Sequence, residues 1–569
     1  MRPYSTAVWP TYADPKEGSV MATESPVTAV QPVQDVGLRR DVGLIGGMWA
    51  SEGSIIGSGW LFGALGAITL AGTAGILSWV ITGAVFSVLA LVYAELGGMY
   101  PVAGGTARFQ HYAFGSVAGM SFGFFSWLQA AAVAPIECYA VMNYGSYYWH
   151  SIYDPKNGNV TGLGFGMTIV LMAVFTGLNF LAVRWVAFTN SGLVWWKVAV
   201  PLLAIIVLFT KFHGANFGAG GGFMPYGWHG VLSAISVAGV AFALLGFEQA
   251  DQLAGEIKNP QRNLPLAILG GFLIGTIIYV LLQIVFIGAL PPSQLAHGFA
   301  NISDKNILAG PFAGLAGLIG LGWLALILRI DAFISPFGTG LIYQTSTSRV
   351  GYGLGRNRYY PPIFTWVDRN GVPWFSLIIS FLAGLVFLLP FPGWHSLVSL
   401  ITLATVLMYA GAPLSIAAFR SQVPEANRPF RMPYIPVLGP LAFICANLIM
   451  YWTGFQVVWK LGVAMVIGYV LIGIWMAFDK QREPLEWKSA IWLPFYLVGF
   501  GILSWQGQFG PDNTGRMPAG WDLLIVAAFA VGIFYWAFYS KLSRDEMLKI
   551  VGLEAARPPE AGAAPAAGH

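Results

Sequence analysis

The sequence predicts an all-α membrane protein, and three observations point there. The apolar residues fall in long uninterrupted runs, charged residues are scarce, and two of the runs carry glycines near their middles. Of the 569 residues, 56% are hydrophobic and 9% are charged, against roughly 25% charged in soluble domains. No soluble core could absorb that apolar fraction. The runs show neither strict alternation nor a single 3.6-residue stripe, so they read as helices that are apolar on every side. Aromatic residues make up 15%, which suits rings placed at the two membrane interfaces.

About 14 such runs of roughly 17 to 28 residues match the length that a bilayer requires. They lie near 42–71, 74–97, 115–149, 163–182, 185–210, 230–256, 264–290, 321–348, 373–390, 395–419, 437–455, 461–478, 490–506 and 521–540. A short helix outside the bilayer is expected at 311–320. An even number of spans puts both termini on one side, and the cationic loops say which. With the termini in the cytoplasm, 22 Lys and Arg residues fall on the inner side and 5 on the outer, while Lys197 and Arg329 lie inside spans. That bias is a strong positive-inside signal, and it predicts a multi-pass protein of the cytoplasmic membrane.

The expected organisation follows. Residues 1–40 read as a disordered cytoplasmic tail with no signal-peptide pattern, and either Met1 or Met21 can serve as the start. Residues 41–420 hold the first ten spans, 421–541 four additional spans, and 542–569 a cytoplasmic C-terminal tail. Cys138 and Cys445 both lie in apolar runs and read as packing residues. The net charge of +4 is small, so no nucleic-acid partner is expected. Nucleotide-binding loops, zinc spacings and nucleophile elbows are absent, so an enzyme is not expected, nor a cofactor, nor a metal site.

The first run reads GLIGGMWASEGSIIGSGWLFGALGAITL, with Gly57, Ser58 and Gly59 near its middle. The sixth reads VLSAISVAGVAFALLGFEQADQLAGEI, with Gly246 and Glu248 near its middle. If spans 1–5 and 6–10 are two repeats, these positions correspond. Five is odd, so the repeats run in opposite directions. Paired interruptions of this kind are the best sequence pointer to a transport site. Glycine permits the backbone angles that break a helix. The half-helix beginning at Ser58–Trp60 would direct N–H groups and a positive dipole end at an anion. The carbonyls freed before the breaks suit an ammonium group. An amino acid offers both.

Ionisable groups inside the spans are costly and therefore informative. Lys197 lies in the fifth span, within reach of pKa tuning by burial; a snorkelling lysine is the plainer alternative. Glu137 lies deep in the third span, as a proton relay, an amine contact or a structural hydrogen-bond acceptor. Asp331 and Arg329 share the eighth span but, two apart, cannot face each other. Glu52 precedes the first break as an inner gate or proton exit. Glu95 ends the second span and reads as a tether for an inner loop.

These stretches carry a resemblance. FALLGFEQADQLAGEIKNPQRNLP (242–265), IIGSGWLFG (55–63), YAELGGMYPVAGG (93–105), SPFGTGLIYQTSTSRVGYGLGRN (335–357) and PEANRPFRMPYIPVLGP (424–440) together resemble signatures of the amino acid–polyamine–organocation superfamily. The GSGWLFG form is most similar to its bacterial aspartate:proton-symporter-like permeases. The resemblance implies a LeuT-like five-plus-five inverted repeat, with extra C-terminal helices and alternating access around a midplane site. It implies import of amino acids by proton symport. Ile56, Gly57, Ser58, Gly59, Trp60, Glu137, Ala243, Gly246, Phe247 and Glu248 are then the expected substrate-binding residues. Lys197, Ser335 and Asp331 are the expected proton-coupling residues. In this family pattern the span-5 lysine takes the place of a sodium ion, and Ser335 faces it from span 8. The expected partners are an amino acid, protons and membrane lipid, with no obligate protein partner. Glu137, Asp331 and Glu248 keep a polyamine or other amine cargo open, and an exchanger and a nutrient sensor on the same scaffold are the further alternatives.

Overall fold

The computed structural model describes residues 42–102, 104–154, 158–180, 183–369, 371–389, 393–479, 484–511 and 515–556. The expected N-terminal tail and the last thirteen residues of the expected C-terminal tail lie outside them. Ten helical stretches among the described residues are long and apolar enough to cross a membrane. A further apolar helix, Trp374–Leu388, is shorter.

The segments are numbered here in chain order. Segment 1 is two half-helices, Leu44–Ile55 and Gly59–Ala71. Segments 2 to 5 are Gly75–Met99, Ser116–Gly145, Gly162–Asn179 and Val183–Phe209. Segment 6 is Gly227–Val237, a single turn Val240–Ala243, and Gln249–Gln252. Segments 7 to 10 are Pro260–Ala289, Gly322–Arg356, Trp374–Leu388 and Trp394–Gln422. Segments 11 to 14 are Ile435–Trp452, Phe455–Phe478, Trp492–Gln506 and Trp521–Ser540. The short helix expected near 311–320 is Pro311–Leu318, packed against segment 8 and the second half-helix of segment 1. A final helix, Arg544–Ala556, occupies part of the expected C-terminal tail.

The packing repeats itself when segments 1–5 are exchanged for 6–10. Segment 2 packs on 7 and segment 3 on 8. The contacts of 5 with 7 and 8 recur as those of 10 with 2 and 3. The contacts of 1 with 7, and of 4 with 8, recur as 6 with 2 and 9 with 3. An odd number of crossings per repeat gives this exchange its inverted sense. Segments 3 and 10 form the buried centre: a window along each is 94% and 100% buried, against 22% for segment 12. Segments 11–14 flank the core, with 11 and 12 against segment 10 and 14 against 11.

Glu95, near the C-terminal end of segment 2, shows how charge is managed there. Its carboxylate accepts two bonds from Arg420 (2.7 and 2.6 Å) and one from the Met432 N–H (2.7 Å), with Arg428 at 3.3 Å. It therefore ties segment 2 to the loop between segments 10 and 11. Breaking a buried, hydrogen-bonded charge cluster leaves cations unpaired. Glu95→Ala is expected to destabilise the protein by about 3 kcal/mol, read as a lower melting temperature of the detergent-purified protein.

Candidate substrate and coupling site

Segment 1 breaks at Ile56–Ser58, and it does so without a glycine in the left-handed region. Ile56 leaves the helix at φ −83°, ψ 81°, and neither Gly57 nor Gly59 has a positive φ. The glycines supply space. A Cβ on Gly57 would lie 2.8 Å from Glu137 Oε1 and 3.0 Å from Thr339 Oγ1. A Cβ on Gly59 would lie 2.6 Å from Ala243 Cα, which is backbone of segment 6. The sequence reading assigned these glycines to helix-breaking dihedrals; their work here is to let segments 3, 6 and 8 approach.

Segment 6 breaks twice. Gly239 (φ 86°) ends the first helix, and Gly246 (φ 106°) lies in the non-helical stretch that follows the single turn. Only the second break was legible in advance. Gly246 requires glycine on dihedral grounds. Its N–H donates to Glu248 Oε2 (3.1 Å) and lies 3.2 Å from the Tyr409 hydroxyl. Tyr409 in turn donates to Glu248, and Gln249 donates to its other oxygen at 3.0 Å. Glu248 thus satisfies the broken backbone locally.

At the other break the anion expected on the half-helix is supplied by the chain itself. Ser58 N–H donates to Glu137 Oε2 at 2.9 Å and Ser58 Oγ to Glu137 Oε1 at 3.1 Å. Trp394 Nε1 donates to the same Ser58 Oγ at 2.9 Å. The positive end of Gly59–Ala71 therefore faces a carboxyl group.

Lys197 is fully buried and so does not snorkel. Its Nζ donates to the Gly53 carbonyl (2.5 Å) and to Thr339 Oγ1 (2.7 Å). Gly53 is in the last turn of Leu44–Ile55, so the cation sits at the negative end of that half-helix. Thr339 also contacts Gly53 O (3.1 Å) and Ile56 O (3.4 Å). Ser335, expected to face Lys197, instead donates to Asp331 Oδ1 one turn back on its own helix (2.8 Å). The residue that meets the lysine from segment 8 is Thr339, four residues on. Asp331 is buried towards the N-terminal end of segment 8, with the Trp196 and Trp60 indoles beside it. Arg329 stacks on Tyr147, its Cζ 3.5 Å from the ring centre.

A cavity opens between the two breaks. Gly57, Gly59, Glu137, Gln129, Thr339, Tyr343 and Thr405 are among its lining residues. It holds about 10 Å³, room for about one water molecule. Of the expected substrate-binding residues, Gly57, Gly59 and Glu137 line it. Ile56 offers its carbonyl to Thr339, Ala243 packs on Gly59, and Trp60 packs on Phe312 at 5.2 Å between ring centres. Phe247 does not line the cavity. It is buried among Phe86, Tyr93, Phe272 and Tyr409, 4.9 to 6.1 Å between ring centres. Gln129 and Thr405, joined at 3.2 Å, were not anticipated, and neither was Tyr343. Among the described residues no cluster of three or more His, Cys, Asp or Glu is placed to hold a metal ion.

Two opposed, interrupted helices in exchangeable repeats, closing on a small polar cavity, define a secondary transporter. Comparison with known proteins gives the family. The chain belongs to the amino acid permeases, whose family profile matches residues 43–478, and it is a multi-pass membrane protein. It is 37% identical over 524 residues to the glutamate/serine transporter AimA of Bacillus subtilis (strain 168), covering 88% of this chain and 94% of that one. It is 36% identical over 496 residues to the aspartate-proton symporter of the same organism, covering 86% and 95%. More distantly, it is 24% identical over 480 residues to the large neutral amino acids transporter small subunit 2 of Rattus norvegicus, covering 80% and 82%.

Proposed function

We propose that the chain imports amino acids, acidic ones and serine first among them, across the cytoplasmic membrane by symport with protons. The carrying observation is Lys197, a buried amine bonded to the end of one broken helix and to Thr339 of segment 8. An amine in that place changes charge by one proton and occupies the space of a metal cation. Both termini are cytoplasmic in this reading, on the strength of the Lys and Arg bias. The names of the two Bacillus relatives, a glutamate/serine transporter and an aspartate-proton symporter, support the substrate class and the coupling ion.

In the cycle, the substrate α-carboxylate competes with Glu137 for the Ser58 N–H, and its ammonium takes carbonyls freed at the breaks. The cavity is smaller than an amino acid, so segments 1 and 6 must separate from 3 and 8 to admit one. Alternating access does this on one side at a time.

Proteoliposomes test the proposal, with radiolabelled glutamate, aspartate and serine under an imposed pH gradient, and with a polyamine as competitor. Accumulation driven by protons and indifferent to sodium is expected. Accumulation that requires a sodium gradient, or that is competed by the polyamine and not by amino acids, overturns it. Counterflow without net accumulation would make the chain an exchanger, and binding without either a sensor.

A further inference from the structure

Lys197 has three carboxyl groups as electrostatic neighbours, each from a different segment: Glu137 of segment 3, Asp331 of segment 8 and Glu52 of segment 1. They stand in different circumstances. Glu137 is engaged by Ser58 at both oxygens. Asp331 accepts from Ser335 and lies towards the outer end of its helix, nine residues from Gly322. Glu52 is 1% exposed, and neither of its oxygens has a hydrogen-bond partner among the described residues. A buried carboxyl without a donor is rare and calls for a reason.

The position of Glu52 supplies one. It lies next in sequence to Gly53, whose carbonyl holds Lys197. It is also on the inner half of segment 1, about 12 Å of helix from Leu44. Segment 5 packs on segments 1, 7 and 8, and its Lys197 is bonded to the residue that follows Glu52. The carboxyl is covered by segment 7 at Gly275, where a Cβ would come within 3.5 Å of Oε2. The other ionisable group there is Tyr279, whose hydroxyl is committed to the Ile55 carbonyl at 2.7 Å. The end of segment 6 packed on the same half-helix carries Glu248, held by Tyr409 and Gly246, and Asp251, which lies against Gly97.

We infer that Glu52 is the inner proton acceptor for Lys197, a role that rests on the proton-coupled reading above. An N–H bond of the ammonium breaks, and the proton ends on a Glu52 carboxylate oxygen. An amine and a carboxylic acid replace a cation and an anion, so the pair has no net charge before or after. Neutralising both partners lowers the burden of keeping charge inside the membrane. Glu52 then loses the proton to inner water when the seam between segments 1 and 7 opens, and it is sealed from that water while the seam is shut. Glu52 acts through Lys197 and does not touch the amino acid.

Glu52→Gln in proteoliposomes tests this, using whichever of glutamate, aspartate and serine the wild type accumulates best. Uptake driven by a pH gradient is expected to fall at least about tenfold. Counterflow at equal pH, which carries the proton in and out on Lys197, stays within about twofold of wild type. Glu52→Asp keeps the acid one methylene short and is expected to be intermediate in gradient-driven uptake, with counterflow unchanged. Gradient-driven uptake at the wild-type level in Glu52→Gln overturns the inference, and so does a parallel loss of uptake and counterflow. If the Gln variant does not fold, wild-type uptake by Glu52→Asp overturns it equally, and reduced uptake with intact counterflow supports it. A wild type that ignores the pH gradient would instead remove the proton-coupled reading itself.

Discussion

Lys197→Ala is expected to abolish amino-acid accumulation driven by a pH gradient while leaving measurable exchange. Two charge-assisted hydrogen bonds are lost, to Gly53 O and to Thr339 Oγ1. Those bonds join the first half-helix of segment 1 to segments 5 and 8. Their loss is expected to lower stability by about 3 kcal/mol as well. Stability and coupling are separated by the pH profile. In the wild type, initial uptake is expected to rise as the outer pH falls, because in the proposed cycle the amine is loaded from outside. In the Ala variant the residual exchange has no such slope. A variant whose accumulation keeps the wild-type pH dependence removes Lys197 from the coupling mechanism.

The second large effect is steric. Gly59→Val places branched carbon where the backbone of Ala243 stands 2.6 Å away. Backbone cannot rotate out of the way as a side chain can, so the two broken helices are forced apart. Overpacking of this kind costs about 1–3 kcal/mol in a well-packed core, and here it falls on the surfaces that frame the cavity. Transport is expected to be lost entirely, with a lower melting temperature. Gly177→Ala is the matched control: it lies in segment 4 with open space around it and is expected to leave both readouts unchanged or slightly improved. Transport at the wild-type level in Gly59→Val would mean that the closed approach of segments 1 and 6 is no part of the cycle.

Most of the architecture was legible because length, polarity and charge bias are one-dimensional properties. Apolar runs of bilayer length announce themselves, and so does the glycine cluster at 57–59. What stayed hidden depends on pairs far apart in the chain. Ser58 meets Trp394 across 336 positions and Glu137 across 79. Thr339 rather than Ser335 meets Lys197, because the rotation of segment 8 about its axis is set by its neighbours and not by its own sequence. Phe247, beside a break, was expected at the cavity, but it packs in an aromatic cluster with Phe86, Tyr93, Phe272 and Tyr409. The break at Gly239 was hidden for a different reason: a lone glycine in an apolar helix is commonplace, and its positive φ and the Trp394 ring 2.8 Å from its would-be Cβ belong to the fold and not to the sequence.

The contact between Glu137 and Ser58 bears on the idle half of the cycle. A carrier that has delivered its cargo must swing back through the membrane with its binding groups exposed to a medium that offers no replacement. Here a built-in stand-in already caps the helix end, so in the proposed symport cycle the unloaded protein would make its return stroke without a bare dipole. Resetting with nothing aboard is what separates a pump that accumulates solute from a device that can only swap one molecule for another.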